Sequence, residues 1–298
     1  MSDGKLSTRR SVFRMVGGLG AMALLANCGG TNETQGTGGA GGSAGGAGGT
    51  GGSAGGSGGS GGSGGTGGST SSGEWATEGT SVLDGKDYGN PFESGVGPTC
   101  NVYKSATEGP CHATSDLLVR KDISEGYPGL PTRLELLIVD ADCNPVPNAT
   151  LEIWHCDTFG VYSGDIDGNN DAMCTGGDSE AAAALWYRGI QTSGADGRVT
   201  FDTNFPGWYG SRATHIHFRV TVGNTQYLVS QVFFDESLKE EIYNSQPNYE
   251  ATSGQGYQVN ATDKVVTESG LTLSEVVMST AKQSDGALLA WKAITINA

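Results

Sequence analysis

Beyond one apolar run near the start, apolar positions in this chain are sparse up to residue 130 and gather in short runs after it. Leu134-Glu135-Leu136-Leu137-Ile138-Val139 is an apolar run of strand length, and Ala149 to Trp154 alternates with Glu152 facing outward. The turn-rich stretch Asp140 to Asn148 separates them. Trp186 to Thr192 and Arg198 to Asp202 flank Ala195-Asp196-Gly197, which predicts a hairpin around an Asp-Gly turn. His215 to Val222 and Tyr227 to Phe234 predict a second hairpin, turning at Gly223-Asn224. Val276 to Lys282 and Ala287 to Ile296 predict a third, around Ser284-Asp285-Gly286. Asp235 to Asn244 reads as a short helix with Leu238 and Ile242 on one face. Residues 163–183, rich in Gly, Asp, Asn and Ala, read as a long loop, and residues 74–130 as irregular segments that wrap the core. Many short strands with turns between them and no long helix predict an all-β fold, a β-sandwich with short helices and long wrapping loops.

Composition divides the 298 residues into three parts. Residues 29–73 are almost pure Gly, Ser, Ala and Thr and hold close to half of the chain's 51 glycines. Such a segment has too little apolar surface to offset its ordering entropy, so residues 28–73 are expected to form a disordered Gly/Ser-rich tether. By √n scaling it spans roughly 35–40 Å. Residues 1–27 read as an export signal. Arg9-Arg10-Ser11-Val12-Phe13 resembles a twin-arginine motif, and the apolar run Met15 to Leu25 is short for a membrane span. Leu25-Ala26-Asn27-Cys28 resembles a lipobox, with Cys28 as the lipidated residue, so an exported, membrane-anchored lipoprotein is expected, periplasmic or at the cell surface. Residues 74–298 remain as one domain.

The net charge is −15 and there is no basic run, which excludes a nucleic-acid partner. The sequence leaves assembly into a homo-oligomer open. Beyond Cys28 five cysteines remain, Cys100, Cys111, Cys143, Cys156 and Cys174. In an exported chain some of them should pair; an odd number leaves at least one free, and the pairing cannot be read from spacing.

The chemistry concentrates in 206–218, Pro-Gly-Trp-Tyr-Gly-Ser-Arg-Ala-Thr-His-Ile-His-Phe, which carries two of the four histidines. His215 and His217 are two apart, so on a strand both imidazoles leave the same face and can share a metal ion. Tyr209 lies in the turn just before, and Tyr162 ends the segment after His155. Two phenolates and two imidazoles form a hard, anionic donor set that suits Fe(3+) better than copper or zinc and leaves a position open for substrate. The residues alone also allow a hydrogen-bonded histidine pair with two core tyrosines. His155, Trp186 and Tyr187 are expected to be structural.

With those residues in view, the chain resembles the intradiol ring-cleavage dioxygenases, most closely their exported, catechol-acting branch. The resemblance rests on TEGP (107–110), DISEG (122–126), VDADCNPVPNATLEIWHCDTFGVYSG (139–164), RGIQTSGADGRVTF (188–201), PGWYGSRATHIHF (206–218) and SQVFF (230–234). It implies a non-haem Fe(3+) held by Tyr162, Tyr209, His215 and His217, and a small aromatic diol cleaved with O2 to a cis,cis-muconate-type product. It further implies that Tyr209 leaves the metal and takes a proton, that Arg212 stabilises developing negative charge, and that Gln231 positions substrate or oxygen. Cys111 departs from the pattern, which often has an aromatic there, and the loop 165–184 is poorly matched. The rival reading is a non-catalytic sandwich module that binds a ligand at the cell surface.

Overall fold

Nine consecutive buried residues make β1 (Pro131–Val139) an interior strand, as its apolar run predicts. The computed structural model describes residues 73–96, 100–113, 118–165, 171–210, 212–249 and 258–298, all within a unit that begins at Gly64. The expected signal (1–27), Cys28 and the tether up to residue 72 lie outside the described residues.

β1 pairs antiparallel with β4 (Arg198–Asn204) and parallel with β8 (Leu288–Thr295), and β7 (Ser279–Lys282) adds to β8, giving the order β4-β1-β8-β7. The second sheet is antiparallel throughout, in the order β3-β2-β5-β6: β2 (Ala149–Trp154), β3 (Arg188–Thr192), β5 (His215–Val222) and β6 (Thr225–Phe233). The two stack as the expected sandwich. Leu134, Leu136 and Ile138 of β1 and Phe201 of β4 meet Leu151 and Ile153 of β2 and Ile216, Phe218 and Val220 of β5 in one core. Alternate residues of β1 face the other way. There Arg133 pairs with Asp202 and donates to the carbonyls of Leu83 (3.1 Å) and Lys86 (3.2 Å), so the irregular segment before β1 covers this face. Glu135 accepts from Arg198 at 3.2 Å and Thr200 at 2.9 Å. A buried charge with such partners avoids most of its desolvation cost.

Three expectations are corrected. Residues 188–202 are not a hairpin: the Asp196-Gly197 turn carries the chain from β3 in one sheet to β4 in the other. Gly197 has φ +75°, and a Cβ there would sit 2.5 Å from the Ile138 carbonyl oxygen, so the arch packs against the end of β1. The stretch 163–183 is not all loop. It holds α1 (Asp171–Cys174) and α2 (Ser179–Ala183), the latter capped by the Asp178 carboxylate. The last hairpin starts at Ser279, because Leu273–Val276 make a helical turn. The helix α3 (Glu236–Ser245) forms as expected, with Asp235 as its cap and Ile242 buried. The cysteines pair as Cys100–Cys143 and Cys111–Cys174, leaving Cys156 free and buried among the described residues.

Candidate functional site

The strand register assembles one row across the outer face of the second sheet. Arg188 lies opposite Trp154, Trp154 opposite His217, and His217 opposite Gln231. Because side chains alternate, His215 and His217 share this face while Ile216, between them, and Phe218, just after, enter the core. The Trp154 indole stacks flat on the His217 ring, centroids 4.9 Å apart and planes within 8°, which fixes the imidazole's tilt.

The two tyrosines reach this face from separate loops. The Asp157 carboxylate accepts from the amides of Phe159 and Val161, both at 2.9 Å, and folds residues 157–161 into a turn that presents Tyr162. That turn lies against the backbone ahead of Tyr209: Gly207 N–H donates to the Asp157 carbonyl at 3.0 Å. Gly160 makes the approach possible. Its φ is +83°, and a Cβ would lie 2.1 Å from the Trp208 carbonyl oxygen and 3.3 Å from Tyr209 Cβ. Gly160→Ala is expected to cost about 2–4 kcal/mol from overpacking and a left-handed non-glycine backbone together. Chemical denaturation of the two chains checks this, and a loss under 1 kcal/mol would show that the loops yield freely.

The four side chains converge. Tyr162 and Tyr209 hydroxyls each lie 3.4 Å from His215 Nε2, and the two Nε2 atoms are 3.0 Å apart. His215 Nδ1 sits 2.6 Å from the Ala213 carbonyl oxygen, an acceptor only, so Nδ1 carries the proton and Nε2 presents a lone pair to the cluster. His217 Nδ1 is buried with no partner. That atom stays unpartnered whether the two Nε2 atoms share a proton or a cation; only a cation uses both Nε2 lone pairs. Burial, with Arg212 nearby, pulls both histidines well below the usual imidazole range, so they stay neutral. Burial raises the Tyr162 phenol well above its usual range, reinforced by Tyr209, and burial raises Tyr209 despite the opposing Arg212. Phenolates at this site therefore require a cation. Neutral imidazoles and two phenolates fit a small trivalent ion, and Fe(3+) matches both charge and hardness. Among the described residues no group of three or more His, Cys, Asp or Glu is placed to hold a metal, so any donor set here needs the tyrosines.

Arg212 closes the cluster from one side. Its Nη1 lies 3.3 Å from the Tyr209 hydroxyl, and Nη2 donates to Gln231 Oε1 at 2.5 Å. Gln231 Nε2 in turn donates to the Thr107 carbonyl at 3.1 Å, so it ties Arg212 to the 107–110 loop. Burial works against the Arg212 charge, but Tyr209 and Asp263 more than offset it and raise its pKa. Asp263 was not foreseen. Its carboxylate accepts from Arg212 Nε at 2.9 Å and Ala213 N–H at 2.7 Å and caps α4 (Lys264–Glu268). Its position before Lys264-Val265-Val266 signals a helix cap; nothing in the sequence signals the arginine. Trp154 was missed as well, although the paired strands 149–154 and 215–222 could have placed it beside His217. His155 is structural, as expected: its nitrogens meet the Cys156 carbonyl at 2.7 Å and the Thr203 hydroxyl at 2.8 Å. Burial lowers its pKa to about 4, which keeps it neutral. Trp186 and Tyr187 pack in a cluster of their own, with Ala181.

A family model described as "Dioxygenase" matches residues 107–275. A hydroxyquinol 1,2-dioxygenase of Nocardioides simplex is 32% identical over 123 residues, which are 38% of this chain and 40% of that protein. One from Corynebacterium glutamicum is 30% identical over 130 residues, 42% of each chain. The chain thus spans less than half the length of these curated relatives. Among solved structures, an intradiol ring-cleavage dioxygenase from Tetranychus urticae shows 29% identity and a TM-score of 0.58, over 66% of this chain and 95% of that one.

Proposed function

Since the chain belongs to the intradiol ring-cleavage dioxygenase family, we propose that it opens the ring of catechol-type diols with O2, using ferric iron held at Tyr162, Tyr209, His215 and His217. The observation that carries this reading is the convergence of those four donor atoms around His215 Nε2, with Nδ1 of the same ring committed to the Ala213 carbonyl.

Bound Fe(3+) would act as a Lewis acid that activates the deprotonated diol toward O2. The chain's residues do the rest. Tyr162 and the two histidines are fully buried and anchored, and serve as fixed donors. Tyr209 is the more exposed tyrosine and sits at the end of a turn beside Arg212, so it is the donor suited to give way and take a proton from an incoming hydroxyl. Arg212, held from behind by Asp263, keeps its positive charge facing Tyr209 and stabilises negative charge that builds on the diol. Gln231 fixes the direction of the guanidinium and would position substrate or oxygen by hydrogen bonding. The bond between the two hydroxyl-bearing carbons breaks, both atoms of O2 enter the product, and a cis,cis-muconate-type diacid results.

We place this activity outside the cytoplasm, on an anchor at Cys28. Support comes from the two disulfides, which persist in oxidising compartments. No helix among the described residues is long and apolar enough to cross a membrane.

The direct test is the visible spectrum of the purified, iron-loaded chain before and after anaerobic catechol. Ferric phenolate gives a broad charge-transfer band, which is expected to move to longer wavelength when the diol binds. An iron-loaded chain that stays colourless would sink the ligand set and the activity together.

A further inference from the structure

Behind Tyr162 the structure closes a loop of contacts that the donor set alone does not require. Tyr162 N–H donates to the Cys174 carbonyl at 2.7 Å. Cys174 is bonded through sulfur to Cys111. The Cys111 carbonyl accepts from Arg188 Nη2 at 2.7 Å. Arg188 Nε donates to the Ser163 carbonyl at 3.0 Å, and Ser163 is covalently next to Tyr162. The circuit therefore starts and ends on the same tyrosine. Arg188 is buried, and its guanidinium carbon lies 6.0 Å from the Tyr162 ring centre. Both sulfurs pack with Tyr162, Trp154 and Tyr209 in one cluster. Two residues before Cys111, Gly109 lies so close to His217 that a Cβ would be 3.1 Å from its Cε1. The disulfide thus joins the segment that carries the Tyr162 amide's acceptor to the segment that covers His217.

We infer that the Cys111–Cys174 disulfide and Arg188 form a brace that positions the Tyr162 phenol and the loop against His217, and so sets the metal affinity and spectrum of the site. The inference rests on the ferric reading above. These are positioning residues, not catalytic ones: they act through the backbone and ring of Tyr162. The other disulfide provides the contrast. Cys100–Cys143 closes 43 residues and Cys111–Cys174 closes 63. Loop entropy depends on the logarithm of length, so removing either disulfide relaxes the unfolded chain by nearly the same amount. A difference between the two variants at the metal site must then come from the folded state.

The experiment compares the iron-loaded wild-type chain with C111A/C174A, C100A/C143A, Arg188→Lys and Arg188→Gln. It reads ferric affinity by chelator competition and the charge-transfer band, with circular dichroism as a check on fold. Removing a partner that orients a metal ligand typically costs about 10–100-fold in affinity. C111A/C174A is expected to lose that much and to shift the band, while C100A/C143A keeps the wild-type band. Arg188→Lys, which retains the charge and can reach one of the two carbonyls, is expected to fall between wild type and Arg188→Gln. If C111A/C174A does not fold, the graded arginine pair carries the test. A wild-type band that persists unchanged in C111A/C174A, or in both arginine variants, overturns the brace and leaves the ferric reading standing. Equal losses in the two double-cysteine variants overturn it too, since they mark a general loss of stability. A wild-type chain without any band overturns the ferric reading, and the brace with it.

Discussion

His217→Leu is expected to abolish the ferric charge-transfer band and to lower iron affinity by more than about 100-fold, beyond the effect of losing an outer partner of a ligand. The same substitution is expected to leave the metal-free chain as stable as before, within about 1 kcal/mol, or to stabilise it. The opposite signs follow from the geometry. Without a cation, His217 Nε2–H can donate to His215 Nε2 at 3.0 Å, which leaves His217 Nδ1 as a buried acceptor with no partner. The unpartnered Nδ1 is unfavourable in a low-dielectric site and offsets the gain from that hydrogen bond. A leucine of similar volume keeps the apolar contact with Trp154 and removes the unpartnered Nδ1, while the Tyr162 and Tyr209 hydroxyls remain within reach of His215 Nε2. Denaturant melts of the metal-free chains, beside iron titrations, separate the two effects. If H217L lost several kcal/mol without metal, the histidine would be a structural member of the sheet and the metal reading would lose its main support.

The second large effect concerns Arg212. Replacing it with lysine is expected to lower turnover of catechol by roughly 10²–10³-fold, the usual consequence of losing a charge donor aimed at the reacting centre, while iron stays bound. Lysine is the informative choice because Asp263 is fully buried and has to keep a cation. Arg212→Gln would leave that carboxylate uncompensated at a cost of about 3–5 kcal/mol and confuse folding with catalysis. A single ammonium can satisfy Asp263, but it cannot also reach the Tyr209 hydroxyl and Gln231 as the planar guanidinium does. Steady-state kinetics with metal quantified on the same samples decides the matter. Unchanged turnover would confine Arg212 to its ion pair, and loss of iron would recast it as part of the metal's support.

The sandwich was legible because its strands are short, bounded by turn residues and apolar on a two-residue or continuous period, as in 134–139, 149–154 and 215–222. What failed was pairing. Asp196-Gly197 announces a reversal of the chain, but only the partner strands decide whether it closes a hairpin or bridges two sheets, and the β1 partner of β4 lies some 60 residues earlier in the sequence. The helices α1 and α2 have four and five residues, too few for a helical period to register. At the site, His215, His217, Tyr209 and Tyr162 were legible as a candidate donor set from residue type and spacing, and the longer resemblance made that set specific. Asp263 and Arg188 act through contacts between residues distant in sequence, and spacing does not encode those. The disulfide partners were unreadable for the same reason.

The parallel pairing of β1 with β8 also constrains how the molecule is made. β8 enters the interior of its sheet about 150 residues after β1, between β1 and β7. Until it arrives, one backbone edge of a nine-residue, wholly buried strand has no partner. A non-local closure of this kind raises contact order, so folding is slow and its barrier is dominated by loop entropy. During that interval β1 is a template for edge-to-edge association with another unfinished copy. Yield on refolding should therefore fall with protein concentration well before the native state itself shows any tendency to aggregate.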